Sequence, residues 1–297
     1  MISASRRTDI PAFFSGWFMK RIEDGFCAVR NPYNPGQIAR VSLEPDDVEA
    51  VVFWTRDPAP LMRRLPELDR RGIRYYFLYT LIGYPRAIDP AAPQVSKAVR
   101  TFRELSRRIG KEKMVWRYDP IFFSKRTPYG WHKKRLGYLF RNLRGYTDRL
   151  VISFIDPYRK TKLRMRKEAG RGFAVPERSF DPETYRGIAR YIGSAAKDAG
   201  IGVRACSEEI DCTAYGIERG KCVDDELIGA ITGRRITLRK DPSQRKLCGC
   251  VVSKDIGVNN TCSFGCTYCY ATSSMKSVRK NMKEHNEDSP SLVGSYE

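Results

Sequence analysis

Tyr75-Tyr76-Phe77-Leu78-Tyr79-Thr80, residues 75–80, is a six-residue run without a charge. Its length and its aromatic content suit a buried strand. Downstream, Val95, Val99, Phe102, Leu105 and Ile109 form a helical stripe that Gly110 stops. Met114-Val115-Trp116-Arg117-Tyr118 is the next strand, followed by a basic helical region around Leu136, Leu139 and Phe140. Leu150 to Ile155 is another strand. A helix then opens at Asp181-Pro182-Glu183, carries Tyr185, Ile188 and Ile192, and stops near Gly200. Ile201 to Ala205 is a further strand. Upstream, Leu61, Leu65 and Leu68 mark a helix ending near Gly72, after the strand Val51 to Thr55. Phe14, Trp17, Phe18 and Ile22 lie on a helix opened by Asp9-Ile10-Pro11 and closed by Gly25, after a first strand at Ile2 to Ser5.

Strands and helices alternate, and the strands are nearly all apolar, which predicts a parallel sheet covered by helices. With six such units before residue 206, the expected α/β fold is a (β/α) TIM-like barrel, full or partial. A doubly wound open sheet is the alternative. Residues 1–275 are expected to form a single domain in which 206–250 is a cysteine-rich segment for a second metal site. Residues 276–297 read as a polar C-terminal tail, loose from Pro290 onward.

The chain has 297 residues, 41% of them hydrophobic, with 14 Phe, 16 Tyr and 4 Trp, which is enough for a sizeable core. No apolar run approaches the roughly 20 residues needed to cross a bilayer. The first residues lack the apolar region of a signal peptide, so a cytoplasmic location is expected. Thiols stay reduced there, and the nine cysteines read as metal ligands plus spares rather than a disulfide framework. The formal charge of +20 fits either a solvated basic surface or a polyanionic partner. The densest basic run is Arg159 to Lys167. A second, Lys125 to Arg149, interleaves Tyr129, Trp131, Tyr138 and Tyr146, a mixture that suits nucleic acid and an ordinary amphipathic helix alike.

The carboxyl ends of the strands, where barrels of this kind place their active sites, are polar. They carry Ser5-Arg6-Arg7-Thr8-Asp9, Thr55-Arg56-Asp57, Thr80, Arg117-Tyr118-Asp119, Ser153, Asp156 and Glu208-Glu209. Arg117 and Asp119 stand out, because charges among Val115, Trp116, Ile121 and Phe122 need a partner or a ligand.

Near the chain's end, Thr261-Cys262-Ser263-Phe264-Gly265-Cys266-Thr267-Tyr268-Cys269-Tyr270 places three cysteines as C-x3-C-x2-C. Three close thiolates can hold a cubane cluster whose fourth iron stays open to a small molecule. A zinc site completed by histidine is the rival. Only His132 and His285 exist, and neither has ligand-like spacing to the loop. Of the other six, Cys206, Cys222, Cys248 and Cys250 are candidates for a second, four-thiolate site, either a second [4Fe–4S] cluster, which is favoured, or structural zinc. Cys212 reads as a spare and Cys27 as a small buried hydrophobe.

The C-x3-C-x2-C spacing with Tyr268 before the third cysteine resembles the signature of the radical S-adenosylmethionine (radical SAM) superfamily. That resemblance implies a [4Fe–4S] cluster on Cys262, Cys266 and Cys269, with the methionine part of SAM on its open iron and reductive cleavage to a 5′-deoxyadenosyl radical. The trio, the Asp255-Ile256-Gly257 lead-in, Cys248-Gly249-Cys250, Phe53-Trp54-Thr55-Arg56 and the opening Ile2 to Asp9 together look like a prokaryotic family defined only as a domain of unknown function. Since the superfamily usually carries its cluster loop near the start of the barrel, the resemblance implies circular permutation, with a strand at Asp255 to Asn260 pairing beside Ile2 to Ser5. The superfamily's glycine-rich motif would fall on Ser3-Ala4-Ser5-Arg6-Arg7, which lacks the glycines and leaves Ser5 and Arg7 as candidates for SAM contacts. Tyr268 matches the position that borders the adenine. By strand position, Arg117 is the candidate for the SAM carboxylate and Thr80 for the ribose. The implied partners are SAM, an electron donor and an acidic or phosphate-bearing substrate, nucleic acid being one form. The competing readings are a zinc-containing nucleic-acid-binding protein without catalysis and a plain electron carrier.

Overall fold

The computed structural model describes every residue except Tyr33, Pro35, 156–160, 162–163, 166–181, Glu209 and 295–297. Asp156, Glu209, Asp181 and most of the basic run Arg159 to Lys167 therefore lie outside the described residues.

The architecture is α/β. Its main sheet is built from β1 (Ile2–Ala4), β4 (Val51–Thr55), β5 (Tyr75–Thr80), β6 (Met114–Ile121), β7 (Arg149–Phe154), β8 (Gly202–Ala205), β9 (Ile217–Arg219) and β10 (Lys254–Asp255). All pair in parallel, in the order β10-β1-β4-β5-β6-β7-β8-β9. The two ends, β9 and β10, do not pair with each other among the described residues, so the sheet is not a closed barrel. Strands of three and two residues offer little ladder for closure.

The helices are α1 (Ile10–Phe13), α2 (Ser15–Asp24), α3 (Ala59–Met62), α4 (Leu65–Arg70), α5 (Val95–Ile109), α6 (Tyr129–Leu143), α7 (Pro182–Ala199), α8 (Asp225–Thr232) and α9 (Met275–Lys283). The first expected helix breaks at Phe14, whose backbone leaves the helical region at φ −135° and ψ 26°. Gly25 closes α2 in the left-handed region at φ 75°, as a C-cap glycine does. The helix expected around Leu61 to Leu68 likewise divides into α3 and α4.

Three features departed from the expected pattern. An antiparallel hairpin, β2 (Phe26–Arg30) with β3 (Ile38–Ser42), interrupts the alternation. It buries Cys27 completely, and that burial pushes the thiol up to about 12. The segment read as a polar tail is packed rather than loose. Trp17 Nε1 donates to the Ser289 carbonyl at 2.9 Å, Ala28 N–H donates to the Pro290 carbonyl at 2.9 Å, and Leu292 is buried. Lastly, the strand expected at Asp255 to Asn260 is only Lys254–Asp255. It does lie beside β1, with Ile2 opposite Lys254 and Ser3 opposite Asp255.

Strand side chains alternate between two faces, and this positions everything that follows. Phe53, Tyr75, Phe77, Tyr79, Trp116, Leu150 and Ile152 pack in the main core with the helices. Val52, Tyr76, Leu78, Val115 and Val151 face the other way, against Val223, Leu227, Ile228, Val251 and four cysteines. Carrying that second register to the carboxyl ends reaches Ser5, Trp54, Thr80, Arg117 and Ser153 in turn.

Candidate cofactor site

Those five residues line one pocket with Cys262, Cys266 and Cys269. Its cavity volume is about 210 Å³. The three cysteines sit on the loop after β10, which the β10–β1 pairing carries to the end of the sheet where β1 and β4–β7 present their polar residues. Cys266 is buried, and Cys262 and Cys269 are half-buried where they open onto the pocket. Burial pushes the Cys262 thiol up to about 12 and raises that of Cys266 well above the usual range, with the Arg56 guanidinium opposing the shift in both.

Asp255 organises the near wall. Its carboxylate accepts from Ser3 Oγ (3.0 Å), Ser5 Oγ (2.6 Å), Arg6 N–H (2.7 Å), Arg7 Nε (3.0 Å) and Gly257 N–H (3.0 Å). Arg7 Nη2 also donates to the Asp255 carbonyl at 2.7 Å. A Cβ on Gly257 would stand 2.0 Å from Ser5 Oγ, so this close approach needs glycine. Ser5 and Arg7, the candidates for SAM contacts, thus spend their polar groups mainly on Asp255.

Tyr268 belongs to the far wall. Its hydroxyl is bonded by Arg56 Nη2 and donates to Asp89 Oδ2 at 3.2 Å, and its ring meets Tyr84 and Phe122 edge-on. The segment 81–93 clamps the cysteine loop: Ala91 N–H donates to the Phe264 carbonyl (3.2 Å) and Thr267 N–H to the Ile88 carbonyl (3.0 Å). Arg164 Nη2 donates to the Cys269 carbonyl. Thr80 and Arg117 meet directly, Arg117 Nη1 donating to Thr80 Oγ1 at 3.3 Å and Nη2 to Asp119 at 2.6 Å. Arg117 therefore has the partner its apolar strand required.

Asp9 is buried and accepts from Ala12 N–H at 3.0 Å and Arg56 N–H at 2.7 Å, and its burial raises its carboxyl to about 7. Sequence reasoning missed the roles of Asp89 and Asp255. Asp89 lies in a segment with no periodic signal. The Asp255-Ile256-Gly257 stretch was noticed without its function as a hydrogen-bond hub.

Cys206, Cys222, Cys248 and Cys250 come together on the same face, deeper than the pocket. Cys222 Sγ lies 3.5 Å from Cys206 Sγ, and the N–H groups of Cys222 and Val223 donate to Cys250 Sγ at 3.2 and 3.4 Å. Cys212 is buried apart from them, its Sγ 3.6 Å from the Ile210 carbonyl. Among the described residues, no group of three or more His, Cys, Asp or Glu is already placed to hold a metal ion. Tyr129, Trp131, Tyr138 and Tyr146, possible stacking platforms for nucleic acid, are instead partly buried against the main core.

No helix among the described residues is long and apolar enough to cross a membrane. No curated protein matches the chain. Among solved structures, a Bacteroides thetaiotaomicron VPI-5482 protein assigned provisionally as an alpha-L-fucosidase is similar over 82% of this chain and 85% of its own. That likeness, at 9% identity and a TM-score of 0.27, is too low to carry an argument about fold or activity. The family model of DUF1848, a domain of unknown function, matches residues 1–271, and the chain belongs to that family.

Proposed function

We propose that the protein is a radical SAM enzyme whose [4Fe–4S] cluster is held by Cys262, Cys266 and Cys269. The observation that carries this reading is that these three cysteines line one pocket together with polar carboxyl ends of parallel strands. The donor set fits the group: three thiols on one loop leave one coordination position for a ligand in the pocket, and Arg56 offsets part of the charge. When bound, the cluster supplies one-electron reductive cleavage of SAM. The chain's own residues bind and orient. Arg117, held by Thr80 and Asp119, presents a guanidinium for the SAM carboxylate. Tyr268, fixed by Arg56 and Asp89, borders the adenine, and Thr80 is within the pocket for the ribose. Trp54 and Phe264 help exclude water.

Arg6, Arg7, Arg56, Arg117 and Arg245 all line the pocket, so an acidic or phosphate-bearing substrate is favoured, with an external electron donor. The +20 charge leaves nucleic acid as one form of that substrate, and the reducing cytoplasm suits nine free thiols. A zinc-containing nucleic-acid-binding protein is the second reading. It draws on the charge and the four deeper thiols but gives the pocket no use.

Anaerobic reconstitution with iron and sulfide separates the two. The expected result is a brown protein that converts SAM to 5′-deoxyadenosine under reduction, with conversion abolished in Cys269→Ala. Colourless protein, or cleavage that persists in Cys269→Ala, overturns the proposal.

A further inference from the structure

The four deeper cysteines come from three separate stretches of chain. Cys206 follows β8, Cys222 follows β9, and Cys248 and Cys250 lie on the segment leading to β10. All four are free thiols, and all are buried among Val223, Leu227, Ile228 and Val251. The Cys222 thiol donates to Cys206 Sγ, and the Cys222 N–H donates to Cys250 Sγ. The Cys206 and Cys222 sulfurs are 3.5 Å apart, far beyond the ~2.05 Å of a disulfide.

That spacing decides between the two metal centres four thiolates can hold. A tetrahedral ion with metal–sulfur bonds of about 2.3 Å sets its ligand sulfurs about 3.8 Å apart, within a few tenths of the observed separation. A cubane puts each thiolate on a different iron at its own corner, which drives the four sulfurs well beyond contact. Here the Cys206 and Cys222 sulfurs touch, and apolar side chains pack around all four cysteines. We infer that Cys206, Cys222, Cys248 and Cys250 form a closed four-thiolate site for a single tetrahedral divalent ion, zinc, and not a second [4Fe–4S] cluster.

Two surrounding features fit such a centre. The N–H groups of Cys222 and Val223 already aim at Cys250 Sγ, the kind of outer-shell support that orients a metal thiolate. Four thiolates around a dication leave a net charge of −2, and Arg6 and Arg117 stand within the electrostatic reach of Cys222. Both guanidiniums flank the Trp54 ring, 5.4 and 5.2 Å from its centroid. Arg6 Nη2 and Arg117 Nε are buried without a hydrogen-bond partner among the described residues. The ion would hold the segments beside β8 and β9 to the chain entering β10, linking the two ends of the sheet, which do not pair among the described residues. Metal binding would replace the Cys222–Cys206 S–H···S contact with metal–sulfur bonds and release the thiol protons.

This inference stands independently of the chemistry at Cys262, Cys266 and Cys269. The experiment therefore uses the full chain carrying Cys262→Ala, Cys266→Ala and Cys269→Ala together, made metal-free under reduction and titrated with Co²⁺ and then Zn²⁺. The expected result is one Co²⁺ per chain with the intense visible bands of a tetrahedral thiolate, displaced by one equivalent of Zn²⁺. The bands should disappear on adding Cys250→Ala and survive Cys212→Ala. Reconstitution of the same triple variant with iron and sulfide should leave no acid-labile sulfide bound. Four irons and four sulfides per chain in that variant, or no stoichiometric tetrahedral Co²⁺, overturns the inference whether or not Cys250→Ala folds.

Discussion

Arg56 and Asp89 form an ion pair at 2.9 Å, with the Asp89 side chain 1% exposed and that of Arg56 12%. Both also bond the Tyr268 hydroxyl, so the pair pins the cysteine loop to the end of β4 and to the 81–93 segment. Asp89→Ala would leave a buried guanidinium uncompensated, at a cost of about 3–5 kcal/mol. The expected outcome is a lower melting temperature together with reduced iron bound per chain and reduced SAM cleavage. Iron content that stays at the wild-type level would show that the pair does not position the cysteine loop.

Asp255 gathers five donors on one carboxylate, two of them backbone N–H groups. Asp255→Ala strands Arg7 Nε, two serine hydroxyls and two backbone N–H groups at the junction of β10 with β1. With about 1–3 kcal/mol for each buried group left unpaired, the loss is expected to exceed that of an ordinary surface substitution several-fold. Thermal denaturation checks the size of the loss. Amide exchange is expected to show the β10–β1 edge opening first.

His132 gives a pH dependence of definite sign. The ring is wholly buried, contacts the Tyr118 hydroxyl and the Phe122 carbonyl at 2.9 Å each, and its pKa is lowered to about 4 by burial. The unfolded chain takes up this proton near pH 6.5, whereas the folded one resists until about pH 4. Stability contributed by neutral His132 is therefore present above about pH 6.5 and falls as the pH drops toward 4, by at most about 3 kcal/mol. Denaturant midpoints of the wild type and His132→Gln between pH 7.5 and 5 should converge as the pH falls. Parallel curves would contradict the assignment.

Gly193 in α7 faces the backbone of the turn before β9. A Cβ there would lie 1.9 Å from the Tyr215 carbonyl oxygen, and backbone cannot swing away as a side chain does. Gly193→Ala gains roughly 1 kcal/mol of helix propensity. The overpacking costs about 1–3 kcal/mol or more, so net destabilisation is expected. A urea midpoint at or above the wild-type value would show that α7 can shift without penalty.

The apolar runs at 51–55, 75–80, 114–118 and 150–155 were legible as strands because burial on both faces leaves no polar position to confuse the period. β9 was not legible, being three residues long, and the strand expected at Asp255 to Asn260 is only two residues, both too short to show a period. The break at Phe14 and the packed segment after Pro290 were missed for a related reason. Both are fixed by contacts far away in sequence, such as Trp17 Nε1 with the Ser289 carbonyl. At the site, the cysteine trio was recognisable from its spacing. Ser5 and Arg7 are candidates because the resemblance puts the glycine-rich motif on Ser3 to Arg7, yet their bonds go to Asp255, a partner about 250 residues away.

By itself the sequence determined the α/β alternation, the three-cysteine loop and the grouping of Cys206, Cys222, Cys248 and Cys250. Those features are local patterns or residue types with few alternative uses. Only the tertiary structure decided that the strand beside β1 is as short as Lys254–Asp255, that β9 and β10 do not pair among the described residues, and that the Cys206 and Cys222 sulfurs touch. Spacing along a chain limits which ligands can meet, but it does not set the distance between their sulfurs. For Cys206 and Cys222 that distance comes from the pairing of β8 with β9, which brings the residues after each strand together.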